Sequence, residues 1–228
     1  MLKKLKPENV FFYLDSPLVS VFLNFDKDII IIEKGKKINE KIDLFYPLLS
    51  LPLLFKTRLN NIPNNFPYLI PNNDKNSYWF HKLKKNNNRK IGLVWSGSKN
   101  KNINNRSLSL KHFSSILKLP FEFHSIQKEI RASDQKELDK YKNLQQHQND
   151  LKDFSDTAAL LNQMDFIISV DTSVAHLAGA LAKKVWILLN FIPDFSWMLD
   201  REDSAWYPNA RLFRQPKIDD WASVIKKI

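Results

Sequence analysis

From residue 90 onward the chain alternates short apolar runs with amphipathic stretches at a regular spacing. Residues 90–95, 121–126, 166–170 and 185–189 are apolar runs of strand length, and 211–215 is a shorter run of the same kind. Between them, residues 110–117 place Leu110, Phe113, Ile116 and Leu117 on one face, which predicts an amphipathic helix. Residues 133–141 predict a charged, exposed helix. Residues 153–164, opened by Ser155-Asp156-Thr157, and 174–182 predict two more, and Asp219-Asp220-Trp221 opens a helix that runs to the end. Strands alternating with short helices predict an α/β fold: a Rossmann-like parallel sheet with helices on both faces. Ligands of such a sheet sit beyond the C-terminal ends of its strands.

The pattern is less regular before residue 82. Residues 10–14 and 29–33 read as strands, with a short helix over 17–23 between them. Residues 45–55 are apolar but punctuated by Pro47 and Pro52, neither clean strand nor long helix, and 60–67 have loop chemistry. The polar, basic connector 82–90 is the predicted boundary. It divides an N-terminal α/β portion, residues 1–82, from a larger unit, residues 90–228.

Composition narrows the function. A hydrophobic fraction of 43% supports a real core. No apolar run reaches the ~18 residues needed to span a bilayer. The basic start lacks a signal-peptide core. The absence of cysteine excludes disulfides and thiolate metal sites and fits a cytoplasmic protein. The net charge of +11 is spread over lysines along the whole chain, so a nucleic-acid surface is not expected from it. With only four glycines there is no Walker A loop and no GxGxxG, and there is no GxSxG elbow. The histidines lack ligand spacing, so no metal is expected, and the reading calls for no cofactor.

Candidate chemistry gathers at three strand ends. After the strand 166–170 come Asp171-Thr172-Ser173 and a helix of small residues carrying His176. A strand feeding a helix N-terminus through a polar turn offers free N–H groups and the positive end of the helix dipole to an anion. His176 lies one turn beyond Thr172, which places it on the same helix face. The bland alternative is an ordinary N-cap and a satisfied core histidine. After the strand 90–95 come Ser96-Gly97-Ser98, then Lys99, Lys101 and Arg106. After 121–126 come Gln127-Lys128. Gly97 permits close backbone approach, and the cations suit phosphate. Converging on one crevice, these groups describe a nucleotide diphosphate site.

The motifs Ile91-Gly92-Leu93-Val94-Trp95-Ser96-Gly97, Ser125-Ile126-Gln127-Lys128, Asp156-Thr157-Ala158-Ala159-Leu160 and Ser169-Val170-Asp171-Thr172-Ser173-Val174-Ala175-His176 resemble the C-terminal half of GT-B glycosyltransferases. The group is the heptosyltransferase-like family, including bacterial members that follow tetratricopeptide repeats. The resemblance continues through Pro193-Asp194-Phe195-Ser196-Trp197, Ala205-Trp206-Tyr207-Pro208 and Asp220-Trp221, and upstream to Tyr46-Pro47-Leu48-Leu49-Ser50-Leu51-Pro52. It covers roughly residues 42–228. It implies a nucleotide-sugar donor site in which Asp171, Thr172, Ser173 and His176 hold the diphosphate and Ser96, Gly97 and Lys128 border it. Gln127, Thr157 and Ala158 would lie by the nucleoside, and Lys101 and Arg106 would stabilise the leaving group. Three features depart from the family. The loop after residue 98 lacks its His and Asp, Ala182 and Lys184 stand where Gly and Pro are usual, and the N-terminal portion is short for an acceptor domain.

Two functions follow from this reading. One is a metal-independent glycosyltransferase that binds a nucleotide-diphosphate sugar and transfers the sugar to an acceptor hydroxyl. The other is a non-catalytic half-enzyme that needs a protein partner, or a second copy, to complete the acceptor side. The catalytic base is unassigned; Asp15 and Asp43 read as solvated loop carboxylates. Trp186, Trp197, Trp206 and Trp221 read mostly as packing groups.

Overall fold

In the computed structural model, which describes residues 6–63, 65–83, 88–98 and 106–228, the apolar runs after residue 90 pair side by side. First in the chain come β1 (Val10–Leu14), α1 (Ser16–Phe22) and β2 (Ile29–Glu33), a small βαβ unit whose strands pair in parallel. Two helices follow, α2 (Leu51–Leu54) and α3 (Asn73–Lys82). The larger unit runs β3 (Lys90–Val94), β4 (Glu122–Ser125), α4 (Ala132–Leu138), β5 (Leu144–Gln146), α5 (Phe154–Asn162), β6 (Phe166–Val170), α6 (Ser173–Ala180), β7 (Val185–Leu189), β8 (Ala210–Arg214) and α7 (Trp221–Lys226). Its sheet has the order β5-β4-β3-β6-β7-β8, and every pair is parallel.

Counted from β3, the order runs third, second, first, fourth, fifth, sixth. That is a doubly wound sheet, and its direction of winding reverses between β3 and β6. The central strands are buried on both faces, as helices on both sides require. Leu93, Ile167, Val185, Ile187, Leu188 and Leu189 all lie in the core. The α/β reading of the sequence therefore holds, and Asp171 follows directly on the C-terminal end of β6.

The expected helix over 110–117 is instead two 3-10 turns, Leu110–Ser114 and Ile116–Lys118. Leu110, Phe113, Ile116 and Leu117 are buried as a face all the same. A spacing of three serves a 3-10 turn as well as an α-helix, so the pattern identified the face and not the pitch. Helix α3 and the short strand β5 have no apolar periodicity to announce them. Asn72 caps α3 by accepting the Lys75 amide hydrogen at 3.1 Å, and fully buried Trp79 anchors the helix.

Packing ties the early segments to the larger unit. Helices α1 and α3 both pack on α5. The amides of Tyr68 and Leu69 donate to the Ala180 carbonyl at the end of α6, at 3.1 and 3.3 Å. Aromatic edges continue the connection, from Phe12 to Phe22, Phe25, Tyr68, Phe66 and Tyr207 at centroid separations of 5.4–6.4 Å. Among the described residues no helix is long and apolar enough to cross a membrane.

Candidate functional site

The winding reversal opens a crevice between the C-terminal ends of β3 and β6, with a cavity of about 450 Å³. Ser96, Gly97, Ser98 and Arg106 line it from β3, Gln127 and Lys128 from β4, Thr157 from α5, and Thr172, Ser173 and Val174 from α6. Pro17 of α1 adds a wall from the N-terminal unit. A larger depression of about 670 Å³ lies between Lys111–Ser115 and α7, away from every strand end. None of the strand-end candidates lines that depression.

The start of α6 is the site's most informative feature. Thr172 occupies the N-cap position with extended backbone, φ −146° and ψ 167°, but its side chain caps nothing. Its hydroxyl pairs with Ser169 Oγ at 3.2 Å, and Ser169 Oγ also donates to the Val170 carbonyl at 2.7 Å. The amide of Ala175 is taken by the Thr172 carbonyl at 3.0 Å. The amides of Ser173 and Val174 have no acceptor among the described residues. A helix that begins on sheet-buried residues with two open amides at a cavity wall is prepared for an anion.

Arg106 faces this helix start. A Cβ on Gly97 would sit 3.2 Å from Arg106 Nε and 3.6 Å from Thr172 Cγ2, so the guanidinium lies over Gly97, next to Thr172. The turn beneath is fixed from both sides. The Gly97 amide donates to Ser107 Oγ at 3.0 Å, and Arg131 donates to the same oxygen at 2.9 Å. Buried Asp134 accepts from Trp95 Nε1, Ser109 Oγ and the Leu110 amide at 3.0–3.2 Å. Gln127 Oε1 accepts from the amides of Trp95 and Ser96, and its Nε2 donates to Ser96 Oγ and the Glu129 carbonyl, all at 3.0 Å. Gln127 thus stitches the β3 and β4 ends together and has no polar position left over.

The other expected residues separate into groups. Thr157 reaches the cavity while its hydroxyl donates to the Asp153 carbonyl at 3.2 Å. Ala158 is fully buried in the core and does not line the cavity. Lys128 borders the crevice, with Nζ donating to the Gln148 carbonyl at 3.3 Å. Lys101 lies outside the described residues.

Asp171 and His176 do not line the crevice. His176 stacks on Trp197 with centroids 4.7 Å apart, and its Nδ1 is 3.0 Å from the Tyr207 hydroxyl. Tyr207 is hydrogen-bonded in turn to Tyr68. Burial holds the His176 imidazole below its ordinary pKa, opposed by the charges of Asp171 and Asp194 and aided by Arg106. The Arg106 charge thus acts on His176 as well as on the crevice that it lines. Asp194 and Tyr207 were visible in the sequence only as parts of motifs, without a role. The signal available for Asp194 was its place in Pro193-Asp194-Phe195-Ser196, where Oδ1 now accepts the Ser196 amide hydrogen at 2.9 Å.

No protein-family model matches the chain, and no curated protein matches it by sequence. Solved structures do match. A glycosyl transferase family 9 protein from Veillonella parvula superposes with a TM-score of 0.64, over 100% of this chain and 83% of that one, at 12% identity. The E. coli heptosyltransferase WaaC with ADP has a TM-score of 0.45 at 12% identity, over 67% of this chain and 47% of that one. The E. coli ADP-heptose lps heptosyltransferase II has a TM-score of 0.43 at 10% identity, over 70% of this chain and 53% of that one. This chain thus spans about half the length of the E. coli enzymes. The fold is glycosyltransferase-like. At these identities the likeness is one of fold.

Proposed function

We propose that this protein binds a nucleotide-diphosphate sugar in the β3/β6 crevice, as a glycosyltransferase of the GT-B kind. The observation that carries the reading is the uncapped start of α6, with the Ser173 and Val174 amides open to a cavity that Arg106 also lines. Two backbone donors, a helix dipole and a guanidinium are the groups that a leaving diphosphate needs. In this reading residues 90–228 hold the donor and residues 1–82 form the acceptor side. Ser96, Gly97, Thr172, Ser173 and Arg106 surround the diphosphate, with Lys128 as a further cation. Thr157 lies by the nucleoside, Gln127 lines the pocket with its polar groups already paired, and Ala158 supports it from the core. Asp171 and His176 face the sugar end.

A second reading is a donor-binding half-enzyme that works with a partner chain. Of the two carboxylates lining the cavity, Glu129 is exposed at its edge. Asp153 is bound to Lys75 Nζ at 2.8 Å and accepts the Asp156 amide hydrogen at 2.9 Å. Neither is poised as a base for an acceptor.

Titration calorimetry with UDP-, GDP-, ADP- and CMP-sugars tests the shared claim. At least one should bind with its affinity reduced in Arg106→Ala; no binding by any of them removes both readings. Sugar transfer or donor hydrolysis by the purified chain, over many turnovers, then favours the enzyme over the half-enzyme.

A further inference from the structure

Between Ile42 and Leu59 no residue is buried. Phe45, Leu49 and Leu53 are 78%, 84% and 80% exposed, and Leu44, Leu48 and Leu54 stand exposed beside them. The segment is nevertheless folded. A 3-10 turn over Leu48–Ser50 runs into α2, with the Ser50, Phe55 and Thr57 amides donating within the segment at 3.0, 2.9 and 2.7 Å. The 48–57 backbone of this knuckle thus bonds within the segment while the side chains at 44, 45, 48, 49, 53 and 54 stand exposed.

Cations border it. Residues 36–58 hold five Lys and Arg against two Asp and Glu, a net charge of +3. Lys37, Lys56 and Arg58 make no ion pair with the described residues. The charge decides what covers the knuckle. A second copy would bring one cationic border against another, within a chain of net charge +11. A protein partner reads such a surface poorly, because leucine is under-represented among binding hot spots. A bilayer needs no shape complement. It takes leucine and phenylalanine at the acyl boundary and cations at the headgroups.

We propose that the 44–54 knuckle, with Lys37, Lys56 and Arg58, docks on an anionic lipid surface. This inference does not rest on the nucleotide reading.

Co-sedimentation of the full chain with phosphatidylcholine vesicles, with and without about 30% phosphatidylglycerol, tests it. Binding is expected to the anionic vesicles only, and should weaken as salt rises beyond about 0.1 M. The pair Leu49→Glu and Leu53→Glu should lose about tenfold or more in affinity, and the pair Lys56→Glu and Arg58→Glu at least about fivefold. Circular dichroism confirms that each variant is folded. Because the chain has no cysteine, a polarity-sensitive dye on Leu49→Cys reports insertion independently, and its emission should shift to the blue on anionic vesicles. No vesicle binding, or binding that Leu49→Glu and Leu53→Glu leave unchanged with no dye shift, overturns the proposal. A concentration-dependent dimer that these two changes abolish in the absence of lipid would assign the surface to a second copy and overturn it too.

Discussion

Arg106 and His176 both lie near the α6 start, and their variants should behave differently. Arg106 lines the crevice, so Arg106→Ala should weaken a bare nucleoside diphosphate by about 1.5–3 kcal/mol, the worth of a charge-assisted hydrogen bond. His176 stacks on Trp197 outside the cavity lining, so His176→Ala should leave bare nucleotide affinity within about threefold and change only the affinity for a sugar-bearing donor. Calorimetry with both ligands checks the pair, and an equal loss for both variants would put His176 at the diphosphate with Arg106. Ala182 offers a separate test. It has φ 56° just after α6, where Lys183 donates to Ala178 and Ala182 to Gly179, both at 2.9 Å. This is a Schellman ending built without its usual glycine. Ala182→Gly should relieve left-handed strain and raise stability by about 0.5–1 kcal/mol in denaturant unfolding, after the entropy glycine adds to the unfolded chain. At this scale the strand-end residues Ser96, Gly97, Thr172 and Ser173 were legible, because each directly follows a buried strand. The surroundings of His176 were not. The spacing from Thr172 could not show that Trp197 and Tyr207, distant in sequence, pack against its ring.

Among the elements, the β4–β5 edge contains an internal pH dependence. His124 on β4 and His147 just after β5 are both buried, with Nδ1 and Nε2 3.0 Å apart and rings stacked at 5.3 Å. Trp79 of α3 closes on His147 edge-on at 5.1 Å. Burial pushes the His147 pKa down to about 4, and burial together with His147 lowers that of His124. The folded state thus resists protonation that the unfolded chain accepts near its ordinary value. Stability should be fully present above about pH 6.5 and decline as pH falls toward 4. His147 alone would contribute a loss on the order of 3 kcal/mol. Denaturant midpoints across that range check this, and His147→Gln should flatten the profile even if it lowers the plateau. A second element-level constraint is the contact of α6 with Tyr207. A Cβ on Gly179 would clash with the Tyr207 ring carbons, so Gly179→Ala should cost about 1–3 kcal/mol and disturb the His176 hydrogen bond with it. The pitch of 110–118, α3 and β5 escaped sequence reading for one reason. Each is set by tertiary partners such as Asp134 and Trp79, not by its own periodicity.

For the whole molecule the open matter is how the N-terminal unit relates to the crevice. Its alternating strands and helix were legible, yet its attachment was not, since that depends on aromatic edges contributed singly by Phe22, Phe25, Phe66 and Tyr68. Of its βαβ residues only Leu14 and Val21 are buried, while the central strands of the large sheet are buried almost throughout. Segments with few buried apolar contacts open at low free energy without global unfolding. Amides of β1 and β2 should therefore exchange with solvent at least about a hundredfold faster than those of β3, β6 and β7. Pro17 of α1 nonetheless forms part of the cavity wall, so a ligand that fills the crevice touches both units. Saturating nucleotide sugar should slow exchange at Ser173 and Val174 directly. It should also slow exchange in β1 and β2, because a ligand bound against Pro17 favours the state in which the small unit is docked. Protection confined to α6 would mean that the N-terminal unit stands by the site without responding to what binds there.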